Sequence, residues 1–337
     1  MKRNAWAAGL LMAFSSWGVG CAMAQPALRE VTFGTNWLAQ GEHGGYYQAL
    51  ADGTYEKYGL KVTIVPGGPR ASNRMLMSVG KLDFYMGGSL IQAFSAVEKD
   101  IPTVVVAAHF QKEPQILMSH PGQGLDRFED LKASNDILLS KDGTATFFQW
   151  MKAEFGFKDE QVKPYGFSPA PFIADKKAVQ QGYVTSDPLA IERAAGFRPN
   201  VFLLADHGFS TYSTTIETRR EVVEKDPDLV RRFVDASTIG WYNYLYGDNR
   251  AANALIKRDN PEMTDEILAY AVTEMKEHGI VDSGDARQLG IGAMSDARMK
   301  DFFDKMVKAG LFKPDLDYTK AYTLRFVNKG VGLDLKK

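Results

Sequence analysis

Thiols are nearly absent from this sequence. Of its 337 residues one is cysteine, Cys21, so no intramolecular disulfide and no cysteine metal site can form. An excess of charge of either sign is missing too. Forty lysines and arginines stand against 41 aspartates and glutamates, a formal net charge of -1. A nucleic-acid binder carries a basic excess to neutralise phosphates, and none is on offer here. No block of like charges marks a disordered tail. Beyond the N-terminal segment, no apolar run approaches the roughly 20 residues of a membrane span. The hydrolase elbow G-x-S-x-G, the P-loop and the zinc motif H-E-x-x-H do not occur. The five histidines, His43, His109, His120, His207 and His278, are scattered without ligand spacing. Glu42-His43 alone is too little for a metal site, so no metal and no cofactor is expected.

What is present begins at the N-terminus. Lys2 and Arg3 make a positive start, Ala5–Gly20 is apolar and uncharged, and Ala22-Met23-Ala24 gives a small-x-small exit before Gln25. This pattern reads as a secretory signal peptide over residues 1–24. The mature protein is then expected in the periplasm, with no cysteine left. A membrane anchor is the alternative, but the run is short for one. Cys21 also admits lipidation, although Gly18 stands where a lipobox has leucine.

The rest alternates short β-like runs with helical stretches. In a first block, Val31–Gly34, Lys61–Val65, Leu82–Met86 and Val104–Ala108 read as strands, and 44–58, 73–79 and 89–98 as helices. A second block offers strands at Gln115–Ser119, Asp136–Ser140, Gln161–Tyr165 and Val201–Leu204, with helices near 143–155, 173–181 and 187–195. From Asp226-Pro227 onward the chain is helical. Repeated β-α-β order predicts α/β lobes with mainly parallel sheets. Residues 25–114 and 212–337 are expected to form lobe 1 and 115–211 lobe 2, with crossings near Gln111–Leu117 and Gly208–Ile216. Two crossings act as a hinge and put a ligand in the cleft between the lobes.

Two stretches carry a family resemblance. One is Asn36-Trp37, then Glu42-His43-Gly44-Gly45-Tyr46-Tyr47, continued by Tyr55-Glu56-Lys57-Tyr58-Gly59-Leu60 and Pro66-Gly67-Gly68-Pro69. The other is Gly80-Lys81-Leu82-Asp83-Phe84 with Gly87-Gly88. Together they resemble the solute-binding proteins of ABC importers that capture thiamine pyrimidine precursors, formylaminopyrimidine and hydroxymethylpyrimidine. Alkanesulfonate, taurine and nitrate binders are more distant cousins. The resemblance implies a two-lobed periplasmic-binding-protein fold (type II) and delivery of the solute to a permease and its ATPase. It also implies an aminopyrimidine-like ligand. A monomer is expected.

An aminopyrimidine is flat, apolar on its faces and polar at its edge, so it calls for aromatic walls and in-plane hydrogen-bonding groups. Trp37 and Asn36 follow the first strand, at the carboxyl end where α/β sheets hold ligands. Of Tyr46 and Tyr47, adjacent on a helix, one is core; Tyr47 is preferred for the cleft. Glu42 or Asp187 can accept two N–H groups from an aminopyrimidine edge, although Glu42 may equally cap a helix and Asp187 is a natural first-turn residue before Pro188. His43 either holds its loop or touches solute. Gly87-Gly88 permits close backbone approach. Gly143-Thr144 opens a helix N-terminus suited to polar groups. Tyr183 and Ser186 share the Asp187 segment, and Tyr165, Phe172 and Tyr212 are weaker candidates.

The competing class is an enzyme. Eukaryotic members of the same superfamily make the pyrimidine from pyridoxal phosphate and a histidine of their own chain, with iron. Their lysine and histidine follow the Gly-Lys-x-Asp strand, where this chain has Gly87-Gly88-Ser89-Leu90-Ile91-Gln92. A chain without that lysine has no Schiff-base anchor there. A binder is therefore expected, with another flat heteroaromatic such as a flavin as second choice and a sulfonate or nitrate as third. Mass spectrometry of the exported protein should give an N-terminus at Gln25; an intact Met1 or an acylated Cys21 would overturn the leader assignment.

Overall fold

The computed structural model describes residues 27–68 and 70–336. The leader, Cys21 and the cleavage position before Gln25 lie outside these residues, as does Pro69 of the Pro-Gly-Gly-Pro turn. Among the described residues, ten strands form two five-stranded sheets. They are β1 (Arg29–Gly34), β2 (Leu60–Val65), β3 (Phe84–Gly87), β4 (Thr103–Phe110), β5 (Gln115–Ser119), β6 (Ile137–Leu139), β7 (Val162–Pro164), β8 (Val179–Tyr183), β9 (Asn200–Leu203) and β10 (Ser213–Arg219). The first sheet runs β2-β1-β3-β10-β4 and the second β7-β6-β8-β5-β9. Strand β4 is buried at all eight positions, as its unbroken apolar run requires. Among the described residues no helix is long and apolar enough to cross a membrane.

Both sheets are mixed, which corrects the mainly parallel expectation. β1 is parallel to β2 and β3, but β10 is antiparallel to β3 and β4. In the second sheet β5 is antiparallel to β8 and β9. These are the strands by which the chain enters a sheet from the other one. Arriving from the opposite end, they run against their neighbours.

Four local expectations also change. Strand β8 lies where a helix over 173–181 was expected, and helix occupies only Ala170–Ala174. Val179–Tyr183 is central in its sheet, and pairing on both sides overrides the helical tendency of Ala-Val-Gln-Gln. Strand β10 begins inside the stretch read as a crossing and runs on to Arg219; its Ser-Thr-Thr sequence carries little apolar signal. The helix expected over 44–58 is two pieces, Gly44–Ala51 and Thr54–Lys57. Gly53 takes φ 71°, and the Asp52 carboxylate accepts from the Thr54 amide at 3.0 Å. The helix expected over 143–155 is broken at Thr146 into Lys141–Ala145 and Phe147–Phe155.

The first sheet is backed by the 20-residue helix Pro227–Tyr246, on which Gly44–Ala51 packs. The approach is close enough to demand glycine. A Cβ on Gly45 would fall 2.2 Å from the Trp241 ring, one on Gly44 2.0 Å from Tyr244, and one on Gly240 2.2 Å from the Gly45 carbonyl oxygen. Trp241 and Tyr244 are fully buried. Gly45→Ala should therefore cost about 1–3 kcal/mol by overpacking. The melting temperature should drop by roughly 3–10 °C. An unchanged melt would show that the two helices can separate at no cost.

Candidate functional site

Between the sheets the chain crosses twice, at 111–114 and 204–212. Ser213 pairs with Phe110, so the exit and the return lie side by side. Arg298, from the helix Asp296–Lys308, ties both together. Its guanidinium donates to the Ser210 carbonyl at 3.0 Å and the Thr211 carbonyl at 3.4 Å, and also to the Gln111 carbonyl. It lies 4.1 Å from the centroid of the Tyr212 ring. Tyr212 is thus a hinge residue rather than a cleft wall, its hydroxyl 3.3 Å from Asp285.

The loop after β1 is pinned from below. Thr35 donates to the Trp37 carbonyl at 2.8 Å, Gly67 donates back to that carbonyl at 3.0 Å, and Asn73 holds the Thr35 carbonyl at 2.9 Å. This fixes Asn36 and Trp37 at the carboxyl end of the first sheet. The Asn36 carboxamide oxygen is buried without a partner among the described residues, and its nitrogen lies beside Gly88. Opposite, in the loop after β7, Phe167 reaches toward the same place. The Trp37 and Phe167 ring centroids are 6.1 Å apart with 38° between planes, and Tyr165 stands 5.2 Å from Phe167.

A second meeting point joins acidic groups. The 3-10 turn Gly41–His43 carries Glu42, 5% exposed. Across the seam, Thr185 donates its hydroxyl to the Glu42 carboxylate. Two residues on, Asp187 accepts from the Tyr183 amide at 2.7 Å and lies 3.4 Å from the Ser186 hydroxyl. Burial raises the Glu42 carboxyl above the ordinary range, opposed by the Thr185 bond, and Asp187 adds to the rise. Burial likewise raises Asp187. The Tyr183 phenol is raised by burial and then by the carboxylates of Glu113, Glu42, Asp142 and Asp187. Glu113, in the first crossing, is pushed up to about 8 by burial and by Asp142. The seam gathers carboxyl groups from both lobes in a partly dry place, with Glu113 holding its proton through neutral pH, and its carboxyl oxygens suit N–H donors.

Other candidates are committed elsewhere. Tyr47 is fully buried and its hydroxyl donates to Asp259 at 2.9 Å, while Tyr46 is hydrogen-bonded to His109 at 2.9 Å. Gly87 is pressed by Glu217 and Thr215, and Gly143 by Gln181 and Phe147, so neither backbone is bare. The N-terminus at Gly143-Thr144 is satisfied internally. Ser140 accepts from the Gly143 amide at 3.0 Å, and the Thr144 hydroxyl donates to the Ser140 carbonyl at 2.9 Å. Phe172 is core, its ring tilted 36° against His120 at 4.6 Å between centroids. Burial drives His43 down to about 3, so it is neutral at working pH, and its Nδ1 has no partner among the described residues. Phe167, Thr185, Glu113 and Asp142 were not singled out from sequence. Thr185 lay between two named candidates; Phe167 had only the preceding Gly166 to signal it.

Ion pairs also bridge the seam: Arg193 with Glu266, Arg198 with Glu274 at 3.8 Å and Lys308 with Glu154 at 2.9 Å. Most of these groups are exposed, so each adds little. A groove of about 520 Å³ lies away from the seam, lined by Pro102, Arg220 and Lys313 among others; it collects none of the candidates.

A family model described as NMT1/THI5 like matches residues 40–251. The riboflavin-binding protein RibY of Chloroflexus aurantiacus is 23% identical over 316 residues, 91% of this chain and 88% of that protein. Among solved structures, the periplasmic aliphatic sulphonate binding protein SsuA from Escherichia coli superposes with a TM-score of 0.63 at 14% identity, covering 92% of each chain. The desulfurization enzyme DSZB does so with a TM-score of 0.58 at 13% identity, over 88% of this chain and 97% of that one. At these identities the likeness establishes the fold, two α/β lobes of the periplasmic-binding-protein type, and not the activity.

The pH dependence of stability tests the seam. The Glu113 carboxyl, raised from the ordinary glutamate value to about 8, favours the folded state fully at pH values below that ordinary value. The contribution is lost as pH rises toward and through about 8. Glu113→Gln should therefore gain melting temperature relative to the wild type between pH 5 and 9. His43 and His109, both held down near 3, destabilise on the acid side in both proteins and cancel in the difference. A pH-independent difference would mean that Glu113 is solvated.

Proposed function

The chain belongs to the NMT1/THI5-like family, and on that premise we propose that it is the extracytoplasmic substrate-binding component of an ABC importer, taking up a thiamine pyrimidine precursor. The observation that carries the ligand class is the character of the seam. An aromatic from each lobe, Trp37 and Phe167, is linked through Tyr165, which touches Phe167 and feels the Asp187 charge, to carboxyl groups from each lobe, Asp187 and Glu42. Flat faces suit the rings, and ring N–H and amino groups suit the carboxylates. Asn36 offers an amide beside them. A sulfonate or nitrate would have to enter among Glu42, Glu113 and Asp187, with the helix N-terminus at Gly143 already satisfied by Ser140. The sulfonate reading is therefore weaker, although SsuA shares the fold.

A flavin is the second reading. It too is flat with an N–H at one edge, and a relative matched over nearly the whole chain is named as a riboflavin binder. The enzyme reading ranks below both, since the DSZB likeness is one of fold. In this proposal 1–24 is a cleaved signal peptide and the mature protein works in the periplasm as a monomer. Lobe 1 is 25–114 with 212–337, lobe 2 is 115–211, and a permease with its ATPase is the partner. Asn36, Trp37, Glu42, His43, Gly88, Tyr183, Ser186 and Asp187 face the ligand.

Thermal-shift titration with hydroxymethylpyrimidine, riboflavin and an alkanesulfonate tests this directly. A ligand at 100 times its Kd stabilises the native state by about 2.7 kcal/mol. The pyrimidine should raise the melting temperature and the sulfonate should not. Asp187→Asn should weaken pyrimidine binding roughly ten- to a hundredfold, as loss of a charged hydrogen bond of about 1.5–3 kcal/mol implies. Trp37→Ala should weaken it at least tenfold with the fold retained. A shift with the sulfonate alone would reverse the ranking, and a shift with riboflavin alone would promote the second reading.

A further inference from the structure

Phe167 is costly on two counts. It is the aromatic residue of a loop, 64% exposed, and its backbone sits at φ 61°, a region that bulky L residues rarely adopt. Packing within its own lobe does not require this. Its ring neighbours are Tyr165 of its own loop, 5.2 Å between centroids, and Trp37 of the opposite lobe, 6.1 Å away. Neighbouring Gly166 is free of close contacts around its Cα, which leaves the loop room to move. Strain of this kind, at an exposed aromatic on a lobe-lobe seam, is the usual mark of a binding position.

We propose that Phe167 is the second wall of the ligand site, closing from lobe 2 on the face of a planar ring opposite Trp37. The assignment rests on the flat-heteroaromatic reading and adds a specificity-determining residue to it. Carbon contact distances of about 3.5 Å on each face put two walls about 7 Å apart around one inserted ring. The observed centroids are at 6.1 Å with planes 38° apart. In this state the two rings stand tilted toward each other and Phe167 keeps most of its surface exposed. Entry of a ligand moves Phe167 outward by about 1 Å and brings the planes toward parallel. Such jaws accept a ring with both faces unsubstituted and reject a puckered one. The positive φ aims the side chain across the seam, so the specificity is built into the backbone of the loop.

Phe167→Ala, Phe167→Leu and Phe167→Tyr should be compared with the wild type by calorimetric titration with hydroxymethylpyrimidine and riboflavin, beside melts of the unliganded proteins. The Ala variant should bind the preferred flat probe roughly ten- to a hundredfold more weakly, with an unliganded melt no lower than the wild type's. Leu keeps bulk without a ring face and should fall with Ala; Tyr keeps the ring and should stay within about threefold. Should the Ala variant not fold, the Leu and Tyr arms decide alone. Wild-type affinity in the Ala and Leu variants would overturn the assignment and leave the flat-ligand reading standing. A wild type that binds neither flat probe would overturn both.

Discussion

The pairing of Ser213 with Phe110 is the constraint on which the rest of the molecule depends. Because β10 re-enters the first sheet directly beside β4, the strand from which the chain left, the two crossings are neighbours. Adjacent crossings share one pivot, and separated ones would have locked the lobes. Arg298 then grips both segments through three carbonyl groups and the face of Tyr212. A guanidinium suits that place, since its fixed fork of donors reaches several carbonyls at once and its plane lies on an aromatic ring.

From that pivot the two lobes face each other through the loops at their strand ends. The helix Gly44–Ala51 sits against Pro227–Tyr246 by virtue of three glycines that let backbone meet ring and backbone. The same close contact seats Glu42, one turn upstream, in the seam. On the other side, the turn after β8 offers Thr185 and Asp187. Carboxylates from both lobes thus converge on Tyr183. Burial raises their proton affinities, with repulsion from Asp187 adding at Glu42 and from Asp142 at Glu113. The exposed ion pairs outside add closure at low cost and are easily broken. Among the contacts that bridge the seam are the Thr185–Glu42 hydrogen bond, the Trp37–Phe167 ring contact and partly solvated ion pairs.

How far this was legible from sequence differs by element. Strands with apolar runs or β-branched alternation, such as β2, β4 and β5, were read nearly to the residue. The helix expected over 187–195 ends as read, with Gly196 in a left-handed cap. β8 and β10 were not legible. Val-Gln-Gln-Gly-Tyr and Ser-Thr-Thr-Ile-Glu-Thr-Arg have no pattern that separates strand from helix or loop, and both become strands because neighbours pair with them on two sides. The site was legible as a set of segments. Trp37, Glu42 and Asp187 were named from sequence, and each has a neighbour across the seam or beside one that does. Tyr47 was not distinguishable from a cleft residue, since only the position of Asp259, far along the chain, draws its hydroxyl away.

The sequence by itself determined the two-block α/β order, the turns and caps, the lack of thiol chemistry and the family. Each of these rests on neighbours within a few residues or on motifs a dozen long. Only the tertiary structure decided that Thr185 reaches Glu42, that half-buried Glu113 comes near Asp142 and Tyr183, and that Phe167 faces Trp37 from 130 residues away. Those contacts follow from how two sheets are set across a hinge. Strand propensity and hydrophobic periodicity carry no information about that angle, because it is fixed by the pairing of β10 with β4 and the grip of Arg298 on the crossings.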